Sequence, residues 1–508
     1  MKSLSRREFL MKSGTGLAIA VGSPLWYDLL KAGEIPDGSV SFFENRFGVT
    51  NKIIQDVLKL GLSGGGDFSE LYFQYKISTS INMEEDIVKE TSEDISVGVG
   101  IRVLSGEKTG YGYTNDLTFE SMKRAALTAA AIANQSSRQT MANLMVKKPT
   151  HQVYDLEKTL AELNFQDKLL LVKDTYNAAL NYDKQVNKVR SILGDSIEYI
   201  TIANSEGLLI SDVRPQTRLI AISIAEKAGI RNSGFYSGGG RVGLNYFQNT
   251  VTPKHIGESA SEEAITLLSA TDAKAGEQPV VLGAGQSGVM IHEAVGHPLE
   301  ADGNRKGTSI MSDKLGKKVA TDIVTIYEDP TIPHFRGSLN IDDEGMPTRK
   351  TTLVENGKLV GYIQDKLSAG IMNMKPTGNG RRQSFYFNPI PRMTNTVLAQ
   401  GESEPGEIIK SVKQGFYAKS YQGGQVEDSG KFVFSVNLGY LIEDGKLTQP
   451  LKNATLIGTN VQILENISMV GNDMGFFQGT CGKEGQSVPV TAGTPTLKIE
   501  RMTVGGRK

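Results

Sequence analysis

The chain reads as an α+β protein. A mixed helix/strand domain over residues 45–276 precedes a β-rich domain over 277–508 that carries one motif-bearing helix. Three observations lead to this reading. Residues 45–275 mix stretches of helical periodicity with β-branched runs. In the second half, Asn356-Gly357 and Asp444-Gly445 each sit between apolar runs, which is a strong local signal for a hairpin. Between the halves, Thr271 to Glu277 is small and polar, as a boundary segment should be.

Taken in order, residues 1–30 are set apart from the fold. Arg6-Arg7 precedes a short apolar run from Gly14 to Leu25, the layout of a twin-arginine (Tat) export signal. The expectation is export to the periplasm or another extracytoplasmic space, with an ordinary cytoplasmic protein as the alternative. The apolar run is too short and glycine-rich for a membrane span, and no other segment approaches the ~20 apolar residues a span needs. No integral span is therefore expected in the mature protein.

Helices are expected over Leu117–Ser136, Leu156–Tyr182 and His255–Ser269 from periodicity and Ala/Leu/Lys/Glu content. Ile197–Ile202 and Leu208–Val213 flank Asn204-Ser205-Glu206-Gly207 and read as a hairpin. Gly64-Gly65-Gly66 and Gly238-Gly239-Gly240 read as loop punctuation, since neither is followed by the Lys-Ser/Thr of a phosphate-binding loop. In the second half helices are few, chiefly Gly288–His297 and Pro405–Gln414.

Composition narrows the function classes. Fifty-five basic and 56 acidic residues leave a formal net charge of −1, so no electrostatic footprint for nucleic acid is present. One cysteine excludes an intrachain disulfide framework. The 56 glycines point to many tight turns and close backbone approaches.

The chemistry concentrates at His292-Glu293-Ala294-Val295-Gly296-His297 and at the lone Cys481. Two imidazoles and one thiolate would supply the three protein ligands of a catalytic zinc, with Glu293 beside the first as a base. The spacing is awkward. Histidines five apart lie ~140° from one another on a regular α-helix, so both rings reach one ion only if the helix deforms. Gly296 and Pro298 supply the means, and the deformation is expected at or before Gly296. For Cys481 alone, ligation and plain burial are both open readings. Glu300, Asp302, Asp342, Asp343 and Glu344 read as surface or turn carboxylates, one of which could orient a histidine. His334, in a loop after Pro333, reads as a non-ligand.

A rival lies just upstream. Pro279 to Leu282 followed by Gly283-Ala284-Gly285-Gln286-Ser287-Gly288 matches a strand leading into G-x-G-x-x-G, the dinucleotide fingerprint. That fold needs a second apolar strand ending in an acidic residue, and His297 to Lys306 is polar and strand-poor. The glycines are instead expected to permit a sharp strand-to-helix turn beneath the metal site.

Beyond residue 60 the sequence resembles the TldD/PmbA family of zinc metalloproteases, and its TldD-type, metal-bearing members in particular. The likeness rests on Val289 to His297, Gly303 to Ser309, Gly378 to Ser384, Pro391 to Thr396, Gly424-Gln425-Val426 and Cys481 to Ser487, in that order. The resemblance implies His292, His297 and Cys481 as zinc ligands and Glu293 as general base. It also implies an unstructured peptide substrate, and a homodimer or a heterodimer with a PmbA-type subunit that lacks the ligands. The twin-arginine leader departs from the family's usual cytosolic pattern. The alternative function is a non-catalytic, PmbA-like modulator of a protease complex.

Overall fold

The computed structural model describes residues 41–506 apart from 133–140, 155, 157, 158, 161, 162 and 428. The twin-arginine segment lies outside the described residues. Helices and strands are mixed throughout, as an α+β chain requires, and the strands assemble into two large sheets.

The first sheet has seven strands. They are β1 (Phe68–Glu84), β2 (Ile87–Ser105), β3 (Lys108–Thr114), β4 (Met145–Lys147), β5 (Val186–Asn204), β6 (Leu208–Lys227) and β7 (Ile230–Gly240). Their order is β3-β2-β1-β5-β6-β4, with β7 also paired to β6. The β5–β6 hairpin turns where the sequence places it. Asn204 Oδ1 accepts from the amides of Glu206 and Leu208, and Gly207 adopts φ 93.

The longer helices that cover this sheet are α1 (Asn51–Leu62), α2 (Phe119–Ala130), α3 (Phe165–Leu180) and α4 (Pro253–Leu268). The apolar sides of α1 and α2 bury Ile54, Val57, Leu58, Met122 and Ala126 against Phe73, Val99 and Ile101. The α3–α4 pair buries Val172, Tyr176, Ile256 and Ala260 against Val189, Leu193 and Leu219. A Cβ on Gly257 would lie 2.4 Å from the Thr175 carbonyl, so α4 sits against α3 only because that side chain is missing. Helix α4 begins two residues before His255 because the Thr252 hydroxyl caps the His255 amide and Pro253 occupies the first turn.

Two expectations are corrected here. The helix foreseen from Leu156 starts only at Phe165, because Asn164 accepts from the Asp167 amide and fixes the start there. The preceding described residues instead bury Tyr154 and Leu160. Gly238-Gly239-Gly240 is not a loop but the end of β7, paired with Thr217–Leu219. A Cβ on Gly240, at φ 146, would come within 2.1 Å of the His334 carbonyl, so close approach requires this glycine.

The second sheet has twelve strands, all between residues 271 and 505. Gly276–Leu282 lies at its centre, parallel to Gln414–Val426 on one side and antiparallel to Gln486–Gly505 on the other. The long strands Ile467–Lys483 and Gln486–Gly505 form a hairpin. Both expected hairpins are present, and their turn residues take the left-handed conformation that the fingerprint demands: Asn356 φ 45 with Gly357 φ 78, and Asp444 φ 47 with Gly445 φ 73. The expected Pro405–Gln414 helix ends at Lys410, and Gln414 already opens the next strand.

Buried charges join the two sheets. Glu70 and Arg102, on β1 and β2, pair with each other at 2.8 Å, and Arg102 reaches Glu344 at 2.7 Å. Arg382 also pairs with Glu70, and Arg214 on β6 bridges Asp212 and Asp343. Asp342, Asp343 and Glu344 were expected as surface or turn carboxylates, yet all three are buried. They are held inside by arginines distant in sequence and by backbone amides, including that of Gly380 to Asp342. Removing one partner strands the others in a dry setting. Arg102→Ala should therefore destabilise the fold by about 3–5 kcal/mol in urea unfolding; a loss below ~1 kcal/mol would show that the network carries no folding energy.

Candidate metal centre

The central strand Gly276–Leu282 delivers the chain to the site. Gly285 adopts φ 87, and its amide donates to the Thr494 carbonyl at 3.2 Å. A Cβ on Gly288 would lie 2.5 Å from the Ala492 carbonyl. The glycine-rich run thus lets the helix start press onto the strand Gln486–Gly505. No second apolar strand follows that helix; the chain passes through short helical turns to Arg305.

The helix itself is not regular. A single α-turn over Gly288–Ile291 widens into a π-turn over His292–Gly296 and then tightens into a 3₁₀ turn over His297–Leu299. The His297 amide bonds to the carbonyl of His292, five residues back. In that wider turn, residues five apart lie nearly above one another, which is the deformation the spacing demanded. Gly296 has no room for a side chain: a Cβ there would lie 1.8 Å from Met393 Sδ. The two imidazoles end 5.1 Å apart between centroids, inclined at 80°.

Cys481 arrives from the other direction, on the strand Ile467–Lys483, where it faces Val488 across the hairpin. Its Sγ lies 3.3 Å from His297 Nε2. One donor atom each from His292, His297 and Cys481 lies within 4.8 Å of the others. His292 and Cys481 are both 3% exposed. His334 is elsewhere, in the loop whose carbonyl receives the Arg241 amide.

A charged scaffold holds this cluster. Glu300, one of the carboxylates considered as an orienter, accepts from His297 Nδ1 at 2.8 Å. Lys483 Nζ contacts Glu300 at 3.0 Å and Asp302 at 2.7 Å, and Arg392 donates to the Cys481 carbonyl at 2.7 Å. Lys483 and Arg392 were not foreseen. The only signal available was their place in the blocks Cys481–Ser487 and Pro391–Thr396, which does not tell support from ligation. Glu293 Oε2 stands 3.9 Å from His297 Nε2.

The electrostatics follow from this packing. Burial pushes Glu300 up, but Lys483, His297 and Arg392 outweigh it and hold the carboxyl far below its usual range. Burial would depress His297, yet Glu300 and Cys481 raise it well above an ordinary imidazole. Burial opposes ionisation of Cys481, but His292 and His297 bring its thiol down to about 4. Burial raises Glu293 against the opposing pull of both histidines. Acidifying the metal-free protein from neutral pH should therefore remove its one thiolate ultraviolet band through about pH 4. A band already absent at neutral pH would mean the histidines do not stabilise the anion.

Sequence comparisons agree on one family. Models of PmbA/TldA metallopeptidases match domain 1 at residues 69–133, the central domain at 158–268 and the C-terminal domain at 275–506. A metalloprotease TldD homolog of Haemophilus influenzae is 43% identical over 451 residues, 87% of this chain and 93% of that protein. The homolog of the same name from Buchnera aphidicola (of Acyrthosiphon pisum) is 42% identical over 450 residues, with 87% and 93% covered. A zinc metalloprotease TldD homolog of Saccharolobus solfataricus is 25% identical over 451 residues, 87% of this chain and 97% of that one. Among solved structures, a Thermotoga maritima protein described as a candidate modulator of a DNA gyrase superposes with TM-score 0.74 at 23% identity, covering 89% and 99%. TldE of Thermococcus kodakarensis gives 0.71 at 21%, covering 89% and 100%. The likeness to these two is one of fold.

Proposed function

Because the chain belongs to the PmbA/TldA metallopeptidase family, we propose that it is a zinc-dependent peptidase cleaving unfolded or extended peptides, with Glu293 as general base. The observation that carries this reading is the convergence of His292, His297 and Cys481 to within 4.8 Å across 184 residues of sequence.

The donor set suits the metal. Two imidazoles and a thiolate are ordinary zinc ligands, and three protein ligands leave a position open. The buried Nδ1 of His292 has no hydrogen-bond partner, a costly state for a nitrogen with no further role. A relative with zinc in its name supports the same choice. Bound there, zinc would lower the pKa of water to about 7 and polarise a scissile carbonyl.

The remaining work falls to side chains. Glu293, raised by burial, takes up a proton more readily than a surface carboxylate would. Its role is to accept the proton of the attacking water and later hand it to the departing amine nitrogen. Glu300 fixes the ring of His297 through Nδ1, so that Nε2 faces the sulfur. An extended peptide suits such a site because its carbonyl is not already bonded within its own helix or sheet. The likeness in fold to TldE supports pairing with a PmbA-type subunit, with a second copy of this chain as the other form. A purely non-catalytic modulator is disfavoured by the intact cluster.

The export reading rests on Arg6-Arg7 and the apolar run that follows. Replacing both arginines with lysine should retain the protein in the cytoplasmic fraction, and unchanged fractionation would reject it.

Glu293→Gln should keep about one equivalent of zinc and lose peptide hydrolysis by ~10²–10⁴-fold. Cys481→Ser should lose most of the metal. Both variants would be assayed by zinc analysis and peptide degradation, with and without a PmbA-type partner. Full activity in both would reject the peptidase reading.

A further inference from the structure

Three buried arginines near the junction of the two sheets are neutralised. Arg102 pairs with Glu70 and Glu344, Arg214 with Asp212 and Asp343, and Arg382 with Glu70. Four neighbours are not. Among the described residues, Arg218, Arg241, Arg336 and Arg381 have no ion pair with a carboxylate. Their bonds go to neutral oxygens: Arg218 to the Ser237 hydroxyl, Arg241 to the Pro215 carbonyl, Arg336 to the Gly479 carbonyl, and Arg381 to the carbonyls of Met393 and Pro489. The Nε atoms of Arg218 and Arg241 are buried with no partner at all. Arg241, Arg336 and Arg381 are 4%, 7% and 3% exposed.

These side chains come together where the end of β7 meets the strand that carries Cys481. Arg218 pairs with Gly239 across β6 and β7, and Gln478 donates to the Gly239 carbonyl at 2.9 Å. Arg336 Nε lies 3.2 Å from the Gly479 carbonyl, two positions before Cys481 and roughly 7 Å along the strand. Pro489, held by Arg381, faces Thr480 in the same hairpin. The charges repel one another. Burial, reinforced by Arg218, Arg241 and Arg381, brings Arg336 down to about 9. Burial also brings Arg381 to about 9, against Asp343 and with Arg241, Arg392 and Arg214 adding to it.

Guanidinium groups without a carboxylate partner in a dry setting are costly, even where an aromatic face lies beside them, as Tyr154 does beside Arg241. A carboxylate matches their planar fork in shape and charge. We propose that Arg218, Arg241, Arg336 and Arg381 form an anion subsite beside the metal centre that seats a carboxylate of the peptide substrate. The inference rests on the peptidase reading and adds a selectivity to it. Arg218 is half-buried and the nearby Pro333 and His334 are exposed, so the cluster borders solvent.

The test is binding to the full-length, zinc-loaded Glu293→Gln protein, so that turnover does not intervene. The probes, read by isothermal titration calorimetry, are unlabelled N-acetylated peptides of Gly, Ala and Ser with a free C-terminus, with an amidated C-terminus, or amidated with one internal Glu. At least one carboxylate peptide should bind roughly tenfold or more tightly than the neutral one. Which of the two it is distinguishes a terminal carboxylate from an acidic side chain. Arg218→Gln and Arg336→Gln should erase the preference. Equal binding of all three peptides, or a preference that survives Arg218→Gln, overturns the proposal. If Arg336→Gln does not fold, the peptide series and the half-buried Arg218 variant still decide. Failure of the peptidase reading looks different: wild-type protein would discriminate among the peptides and hydrolyse none.

Discussion

A single backbone hydrogen bond, from the amide of His297 to the carbonyl of His292, underlies the rest of the site. In a regular α-helix that amide would bond one residue later, and the second ring would swing away from the first. The wider turn survives because its surroundings select it. Gly296 removes the side chain that would strike Met393, and Pro298 cannot extend an α-helical ladder. Unusual turns of this kind concentrate at working sites, where the position of a side chain matters more than the regularity of the helix. The cysteine then only has to meet rings that are already in place.

The same economy holds outside the donor cluster. Glu300 is fully buried yet ionised, because Lys483, His297 and Arg392 surround it. Lys483 is two residues after Cys481 on the same strand, so one strand supplies both the sulfur and the cation that steadies the orienting carboxylate. Loss of that lysine would disturb a histidine it never touches. At the junction of the sheets the pattern is harsher: of the seven arginines named there, Arg102, Arg214 and Arg382 are matched by carboxylates among the described residues. Two of the unmatched ones, Arg336 and Arg381, hold carbonyls of the hairpin that carries Cys481.

Much of this was legible in the residue order, but unevenly. The hairpins at Asn356-Gly357 and Asp444-Gly445 could be read because their turn chemistry is local and almost unambiguous. The helix deformation could be read because a five-residue histidine spacing beside a glycine and a proline has few other solutions. The start of α3 could not, since residues before Asn164 share the composition of the helix and only the cap separates them. Gly238-Gly239-Gly240 was misread because its reason, a carbonyl at His334, lies far along the chain. Asp342, Asp343 and Glu344 looked like surface carboxylates for the same cause: their partners Arg102, Arg214 and Arg382 are neighbours only in the folded chain. Local chemistry fixes turns, whereas burial of a charge depends on who arrives from elsewhere.

The order in which the donors occur has a consequence for biosynthesis. Both imidazoles lie in one turn, but the sulfur follows 184 residues later. A nascent chain therefore presents the two nitrogens without the sulfur for most of the time that the second sheet is being translated. The three-donor cluster is complete only when the terminal hairpin docks, so no product truncated before that hairpin carries it.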